Sequence, residues 1–476
     1  MPNVLIADGN TNHKIRMQLS LNDTIAAIAT PMGEGGISVI RISGKDALII
    51  ASRIFFKHKD ASDTVNVQEL HSHTVHFGFI LKEEKLVDEC LLTIFKSPHS
   101  YTGEDVIEIS CHGGSFVAGK VLSLILSSGA RMADPGEFTK RAFLNGKLDL
   151  SQAEAVADLI RSKTESAHES SLKQLEGELS RFVAFARAEL IRITSLVELE
   201  LDFAEEGLEL VSKKEVKGLI DELSKKIAGI ISSYVAGKVI REGVSLVIAG
   251  KPNSGKSSLF NKLLDSDRAI VSGIAGTTRD YIEENLVING VLFKLIDTAG
   301  IRSSQDEIES EGIIRSYKKI AEADLALYLI DSGLSVKEAG EEEEKFRESF
   351  DVDKSILVYS KSDVAQHKVP GNAINVSIFD ESTLKSLRNK MTEKALSTQR
   401  NLSTGEIVLT NLRHKLCLEN VMTSLANAGS SIDSGVSGEF ISVDLRAAMN
   451  HLGEITGEIT NDEILNNIFG SFCIGK

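Results

Sequence analysis

Cysteine is scarce: four residues, at 90, 111, 417 and 473, in a chain of 476. They are too few and too scattered for a disulfide framework and suit a reducing cytoplasm. Long apolar runs are missing too. Hydrophobic residues make up 42% of the chain, enough for ordinary cores. No stretch approaches the roughly 18 apolar residues that a spanning helix needs, so no membrane partner is expected. Residues 1–30 hold no uninterrupted apolar core, so no signal peptide is expected and the expected location is cytoplasmic. Tryptophan is absent, which decides nothing. Proline occurs only at 2, 31, 98, 135, 252 and 370, leaving 136–251 and 371–476 open to long helices. An excess of positive charge is lacking as well. The formal net charge of −15 argues, by itself, against a nucleic-acid partner. Arg131, Lys140, Arg141 and Lys147 make one modest basic stretch where such a partner could find a local patch. Glu341 to Glu344 form an acidic run, expected in a solvated loop.

The strongest positive signal is Gly-Lys-Pro-Asn-Ser-Gly-Lys-Ser at 250–257, directly after the apolar run Val244–Ala249. A strand before and a helix after is the setting that a phosphate-binding loop requires. Its glycines let backbone N–H groups crowd around phosphate oxygens. Asn253, Ser254, Gly255, Lys256, Ser257 and Ser258 are the expected nucleotide-binding residues here. Lys256 would reach the outer phosphates and Ser257 would hold Mg²⁺.

Three later segments select the base. Leu295 to Gly300 reads as a strand ending in Asp-x-x-Gly, with Asp297 for the Mg²⁺ shell and the Gly300 amide for the γ-phosphate. Thr298 and Ala299 belong to the same turn. Gly276-Thr277-Thr278 lies where a switch segment would supply a threonine to Mg²⁺, and Ser272, Gly273, Ile274 and Ala275 precede it. Ser360-Lys361-Ser362-Asp363 follows another strand. The Asp363 carboxylate would accept two hydrogen bonds from a guanine edge, so GTP is the expected ligand. Ser360 stands where such proteins usually carry Asn, and this shorter side chain is expected to make fewer contacts. Ser377, in Asn375-Val376-Ser377-Ile378, fits a last guanine-contact segment. Ile301 follows Gly300, where a water-orienting Gln would stand, and cannot take that part. Arg279 and Arg302 are open both as charge-neutralising fingers and as solvated charges. The acidic Asp306, Glu307, Glu309 and Glu311 offer no choice by spacing alone.

From Ser151 to about Tyr234 apolar residues recur every three to four positions, as packed helices require. Asp149 or Ser151, with Glu154, marks a helix start. Residues 404–476 also read as mostly helical. Residues 22–130 alternate short β runs with helices and Gly-rich turns. The expected fold is multidomain, α/β and all-α. It has an extension at 1–21 into which no fold is read, and an α/β N-terminal domain at 22–145. A helical domain is split into 146–240 and 401–476 by an inserted Ras-like P-loop GTPase domain at 241–400. His71, His73 and His76 alternate along a strand without partners at ligand spacing and are read as ordinary surface or core residues.

Beyond the GTPase signature, the chain carries Asn22-Asp23-Thr24-Ile25-Ala26-Ala27, Arg41-Ile42-Ser43-Gly44, Tyr101-Thr102-Gly103-Glu104-Asp105 and Cys111-His112-Gly113-Gly114. It also carries Pro135-Gly136-Glu137-Phe138, Arg141 to Asp149, and the ending Phe472-Cys473-Ile474-Gly475-Lys476. With these the sequence closely resembles the MnmE (TrmE) family of tRNA-modifying GTPases from about residue 22 onward.

The resemblance implies a K⁺-activated GTPase. Asn253, Ser272, Ile274 and Thr277 would coordinate the ion, Ser257 and Thr278 would ligate Mg²⁺, and Glu309 would orient the attacking water. It implies 5-formyl- or methylene-tetrahydrofolate held by Arg41, Glu108, Lys147 and Lys476. It further implies a homodimer that joins an FAD-containing partner, MnmG, in a heterotetramer acting on the wobble uridine of certain tRNAs. By its residues alone Cys473 is an inert small hydrophobe; the resemblance makes it the catalytic thiol. Gly475 and Lys476 do not suit a prenylation box. The alternative is an Era-type ribosome-assembly GTPase that switches partners without covalent chemistry.

Overall fold

A computed structural model describes residues 23–60, 65–203, 213–267, 283–296, 323–365, 370–371, 373–397 and 407–476. The expected extension at 1–21 lies outside them. The chain divides into two compact units, Met1–Ala157 with Thr456–Lys476, and Asp158–Ile455.

The first unit is built on seven strands: β1 (Ile25–Ile28), β2 (Ile37–Ser43), β3 (Phe55–Phe56), β4 (Thr74–Lys82), β5 (Lys85–Phe95), β6 (Val106–His112) and β7 (Arg131–Met132). Their order is β3-β4-β5-β6-β2-β1-β7, antiparallel except for β1–β7. Because side chains alternate along a strand, Ile40, Ile42, Ile107 and Ile109 turn to one face. They are buried there with Ile50, Val121 and Ile125 of the helices Ala47–Ile54 and Ser115–Ser127. Arg41 and Glu108, directly opposite each other on β2 and β6, turn to the other face. That face is backed by Ile25, Ala27 and Phe138.

Two helices follow, Glu137–Leu144 and Leu150–Arg161. The second starts at Asp149, not Ser151: Asp149 Oδ1 accepts from the Gln152 amide at 2.9 Å, and Gln152 Oε1 accepts from the Asp149 amide at 3.0 Å. Gln152 is the one that reciprocates; Glu154 is buried instead. The late helix Asp462–Gly470 and the residues after it belong to this unit, where Leu465, Phe469 and Phe472 share a core with Leu150 and Ala153.

The second unit holds a helical bundle and a second sheet. Helices Glu178–Phe203, Lys213–Ser232, Leu412–Asp433 and Gly438–Thr456 bury one apolar stripe each. Val183, Ala186, Leu190 and Ile193 on the first meet Ile220, Leu223 and Ile227 on the second in one core. The sheet strands are β8 (Val244–Gly250), β9 (Glu283–Ile288), β10 (Val291–Ile296), β11 (Leu325–Asp331), β12 (Ser355–Ser360) and β13 (Ile374–Val376). Their order is β13-β12-β11-β8-β10-β9, with only β9 antiparallel. This is the Ras-like arrangement expected from the loop and strand signals.

The acidic run Glu341–Glu344 is not in a loop. It lies inside the helix Val336–Ser349, which opens with a Ser335–Glu338 capping box. Glu342 is 2% exposed and accepts from Tyr328 Oη at 2.8 Å, while Glu343 accepts from Tyr359 Oη. Two tyrosines from neighbouring strands convert a run that reads as solvated into a buried attachment.

Candidate functional site

The phosphate-binding loop joins β8 to the helix Lys256–Asp267. Gly250, Asn253 and Gly255 take φ of 139°, 63° and 88°, the alternation that turns successive N–H groups inward. A Cβ on Gly250 would stand 2.4 Å from Leu329 O, so only glycine fits there. Lys256 Nζ donates to Gly250 O at 2.9 Å and Lys251 O at 2.7 Å, and its partial burial lowers its affinity for the proton. A cation half withdrawn from water, over a nest of amides, fits a triphosphate.

The guanine-reading segment is fastened to this loop. Lys361 Nζ donates to Asn253 O at 2.8 Å and to Asp331 at 2.7 Å. Ser360 Oγ lies 2.6 Å from Ser254 O and 3.1 Å from Ile330 O, so the short side chain still ties the loop to two strands. Asp363 Oδ1 accepts from Ser377 Oγ at 2.7 Å, which fixes the carboxylate that would face the base. Asn253, Ser257 and Ser258 are exposed at the loop, and Ser254 is buried beneath it. Ser272, Gly273, Ile274, Ala275, Gly276, Thr277, Thr278, Asp297, Thr298, Ala299, Gly300 and Glu309 all lie outside the described residues. So do Arg279, Ile301 and Arg302.

On the polar face of the first sheet, Arg41 donates to Glu108 Oε1 through Nε at 2.9 Å and Nη2 at 2.7 Å. Its guanidinium stands 5.5 Å from the Tyr101 ring and 5.6 Å from the Phe138 ring. Sequence spacing did not single out either ring. Residues 471–476 come down beside this pair. Arg41 Nη1 donates to Gly475 O at 3.4 Å, and the Gly136 amide donates to Cys473 O at 3.4 Å. Burial, aided by Arg41, lowers the Lys476 pKa, while Glu108 and Cys473 oppose it. Cys473 is exposed; Cys90, Cys111 and Cys417 are buried. The structure therefore gathers Arg41, Glu108, Lys476 and Cys473 in one place. Lys147 Nζ donates to Pro98 O at 3.1 Å, on the turn that carries Tyr101.

The basic stretch from 131 to 147 is not an open patch. Arg141 is 1% exposed and is held by Asp23, Glu104 and Glu137. Arg131 is paired with Asp23 and Glu137, both at 2.7 Å. One of its four cations is thus buried, and a second is neutralised by carboxylates at the surface. His73 and His76 bond to Ser72 Oγ and Thr74 Oγ1, as ordinary side chains of that strand region do.

Two family profiles cover most of the chain: "GTP-binding protein TrmE N-terminus" matches residues 24–147 and "MnmE helical domain" matches residues 150–473. The tRNA modification GTPase MnmE of Carboxydothermus hydrogenoformans is 42% identical over 468 residues, 96% of this chain and 100% of its own. The chain belongs to the MnmE family. It is accordingly a GTPase of the tRNA modification class. The MnmE protein of Chlorobium phaeobacteroides is 42% identical across 95% of this chain and 97% of its own, and that of Christiangramia forsetii is 38% identical across 96% and 100%. Among solved structures, the G domain of the T. maritima FeoB iron transporter is 27% identical over 32% of this chain and 98% of its own, at a TM-score of 0.25, too low to carry an argument.

Proposed function

We propose that this MnmE-family chain couples GTP hydrolysis to a folate-dependent modification of tRNA. K⁺ activates the hydrolysis. With an FAD-dependent MnmG partner, a one-carbon tetrahydrofolate furnishes the carbon for an aminomethyl or carboxymethylaminomethyl group on C5 of the wobble uridine. The protein works in the cytoplasm as a homodimer, joined to the partner as a heterotetramer. The observation that carries this reading is the meeting of Gly475, Lys476 and Cys473 with the Arg41–Glu108 pair, in the unit that does not hold the GTP loop.

In the GTP site, the loop amides and Lys256 hold the phosphates, and Asp363, steadied by Ser377, reads guanine. Ser257 and Thr278 hold Mg²⁺. Asn253, Ser272, Ile274 and Thr277 hold K⁺, whose charge does the work of an arginine finger. Glu309 orients the water. In the folate site, Glu108 accepts from the pterin edge. Arg41 holds that carboxylate in place, Lys147 and Lys476 are the cations for the anionic tail, and Cys473 moves a proton or attacks at the uracil.

GTP hydrolysis measured at equal ionic strength in KCl and in NaCl, with Asn253→Ala beside it, tests the ion. Strong activation by K⁺ that vanishes in the variant is the expected result; equal rates in both salts would remove the potassium assignment. Deleting the last four residues is expected to abolish tRNA modification and spare hydrolysis. Loss of hydrolysis in that truncation would sink the two-site picture.

A further inference from the structure

We propose that Glu342, acting through Lys251, is a positioning residue for the phosphate-binding loop. The proposal rests on the reading of residues 250–257 as the nucleotide site. Three of the ties that fasten this loop come from outside it. Ser360 reaches Ser254 O and Lys361 reaches Asn253 O, both from the guanine-reading segment. The third comes from a different element. Lys251 Nζ lies 2.8 Å from Glu342 Oε1, on the helix Val336–Ser349.

Glu342 is held in place to receive that lysine. Its Oε1 also receives Lys345 Nζ at 2.9 Å, and its Oε2 receives Tyr328 Oη at 2.8 Å. A carboxylate only 2% exposed is stable when both of its oxygens meet donors, and these three supply two to Oε1 and one to Oε2. The helix cannot drift, because Phe346 and Phe350 pack their rings against Tyr328 at 5.6 and 5.0 Å.

Lys251 is also the residue whose backbone closes the loop. Its carbonyl accepts from the Ser254 amide at 3.2 Å and from Lys256 Nζ at 2.7 Å. Tethering the Lys251 side chain fixes where that carbonyl points. It therefore fixes the turn through Pro252 and Asn253 that arranges the phosphate-facing amides. Without the tether, the loop must be ordered when the nucleotide arrives, and affinity falls while the bound state stays the same.

The test uses the full chain, with mant-GDP titration and steady-state GTP hydrolysis. Lys251→Met is the variant safest for folding, since the Lys251 side chain is 49% exposed and Glu342 keeps Lys345 and Tyr328. Glu342→Gln approaches the same contact from the buried side. Each is expected to raise the mant-GDP Kd and the KM for GTP roughly fivefold with kcat unchanged, and the double variant to do no worse than either single one. Overturning results are a Glu342→Gln protein with lowered Tm and unaltered Kd, a Lys251→Met protein with unaltered Kd, or additive losses in the double variant. Lys256→Ala is the control: if it binds mant-GDP as the parent does, the nucleotide reading of the loop itself fails, separately from the tether.

Discussion

Replacing Gly475 with alanine is expected to free the end of the chain from the first sheet and leave GTP turnover intact. Gly475 has φ of +94°, and a Cβ there would lie 2.4 Å from Ile28 O and 3.0 Å from Ala29 Cα. An ordinary contact of roughly 3.5 Å requires the backbone to retreat by about 1 Å. The Arg41 Nη1–Gly475 O bond is already 3.4 Å long and would not survive that retreat. Holding alanine at positive φ costs about 1–2 kcal/mol, and the lost charge-assisted bond, long as it is, adds about 1 kcal/mol. The sum of about 2–3 kcal/mol sets a ceiling of roughly 30- to 150-fold on the loss of affinity for a ligand that needs the docked end. Phe472 lies before the break and stays buried, so the helix Asp462–Gly470 should remain folded. The assay pairs calorimetric titration of 5-formyl-tetrahydrofolate with amide hydrogen exchange of the 471–476 segment. Weakened binding together with faster exchange is expected. Unchanged exchange would refute the steric argument. Faster exchange with unchanged folate affinity would refute the place of the tail in the folate site.

Two further outcomes are expected. Ser360→Ala removes a buried hydroxyl from two carbonyls at a cost of about 1–2 kcal/mol, so the mant-GDP Kd should rise roughly five- to tenfold. Selectivity for guanine over adenine nucleotides should persist, because Asp363 reads the base; lost selectivity would show that Ser360 does. In the native protein at pH 8, Cys473 should be the one thiol that iodoacetamide modifies rapidly, as counted by intact mass. Burial raises the Cys90 pKa to about 12 and that of Cys111 to about 11, so both stay protonated, and Cys417 is buried.

What could be read from the sequence was what local spacing encodes. The loop at 250–257 announces itself because strand, glycines and lysine are adjacent in the chain. The strands around Arg41 and Glu108 show in their two-residue alternation. The ties between distant segments were not legible. Nothing near Glu342 in the chain says that Tyr328 and Lys251 will converge on it, so four consecutive glutamates read as a solvated loop. Arg141 reads as one of four surface cations until Asp23, 118 residues away, is brought beside it. Ser360 seemed a loss of contact because its value depends on where Ser254 O and Ile330 O come to lie. The Asp149 cap was legible as one of two possible starts, and the choice between them turned on the Gln152 side chain, which spacing did not single out.

The core formed by Leu150, Ala153, Leu465, Phe469 and Phe472 joins two stretches of chain separated by the whole of residues 158–455. A ribosome makes Leu150 and Ala153 long before their partners. During synthesis the early unit must wait with an apolar surface uncovered while the GTP-binding unit is translated and can fold first. A message broken anywhere after the GTPase segment would thus yield a protein with a nucleotide loop and an exposed greasy seam, the kind of surface chaperones and proteases recognise. Closure of that seam by Phe469 and Phe472 makes synthesis of the helix Asp462–Gly470 and the residues just after it the step that completes this core.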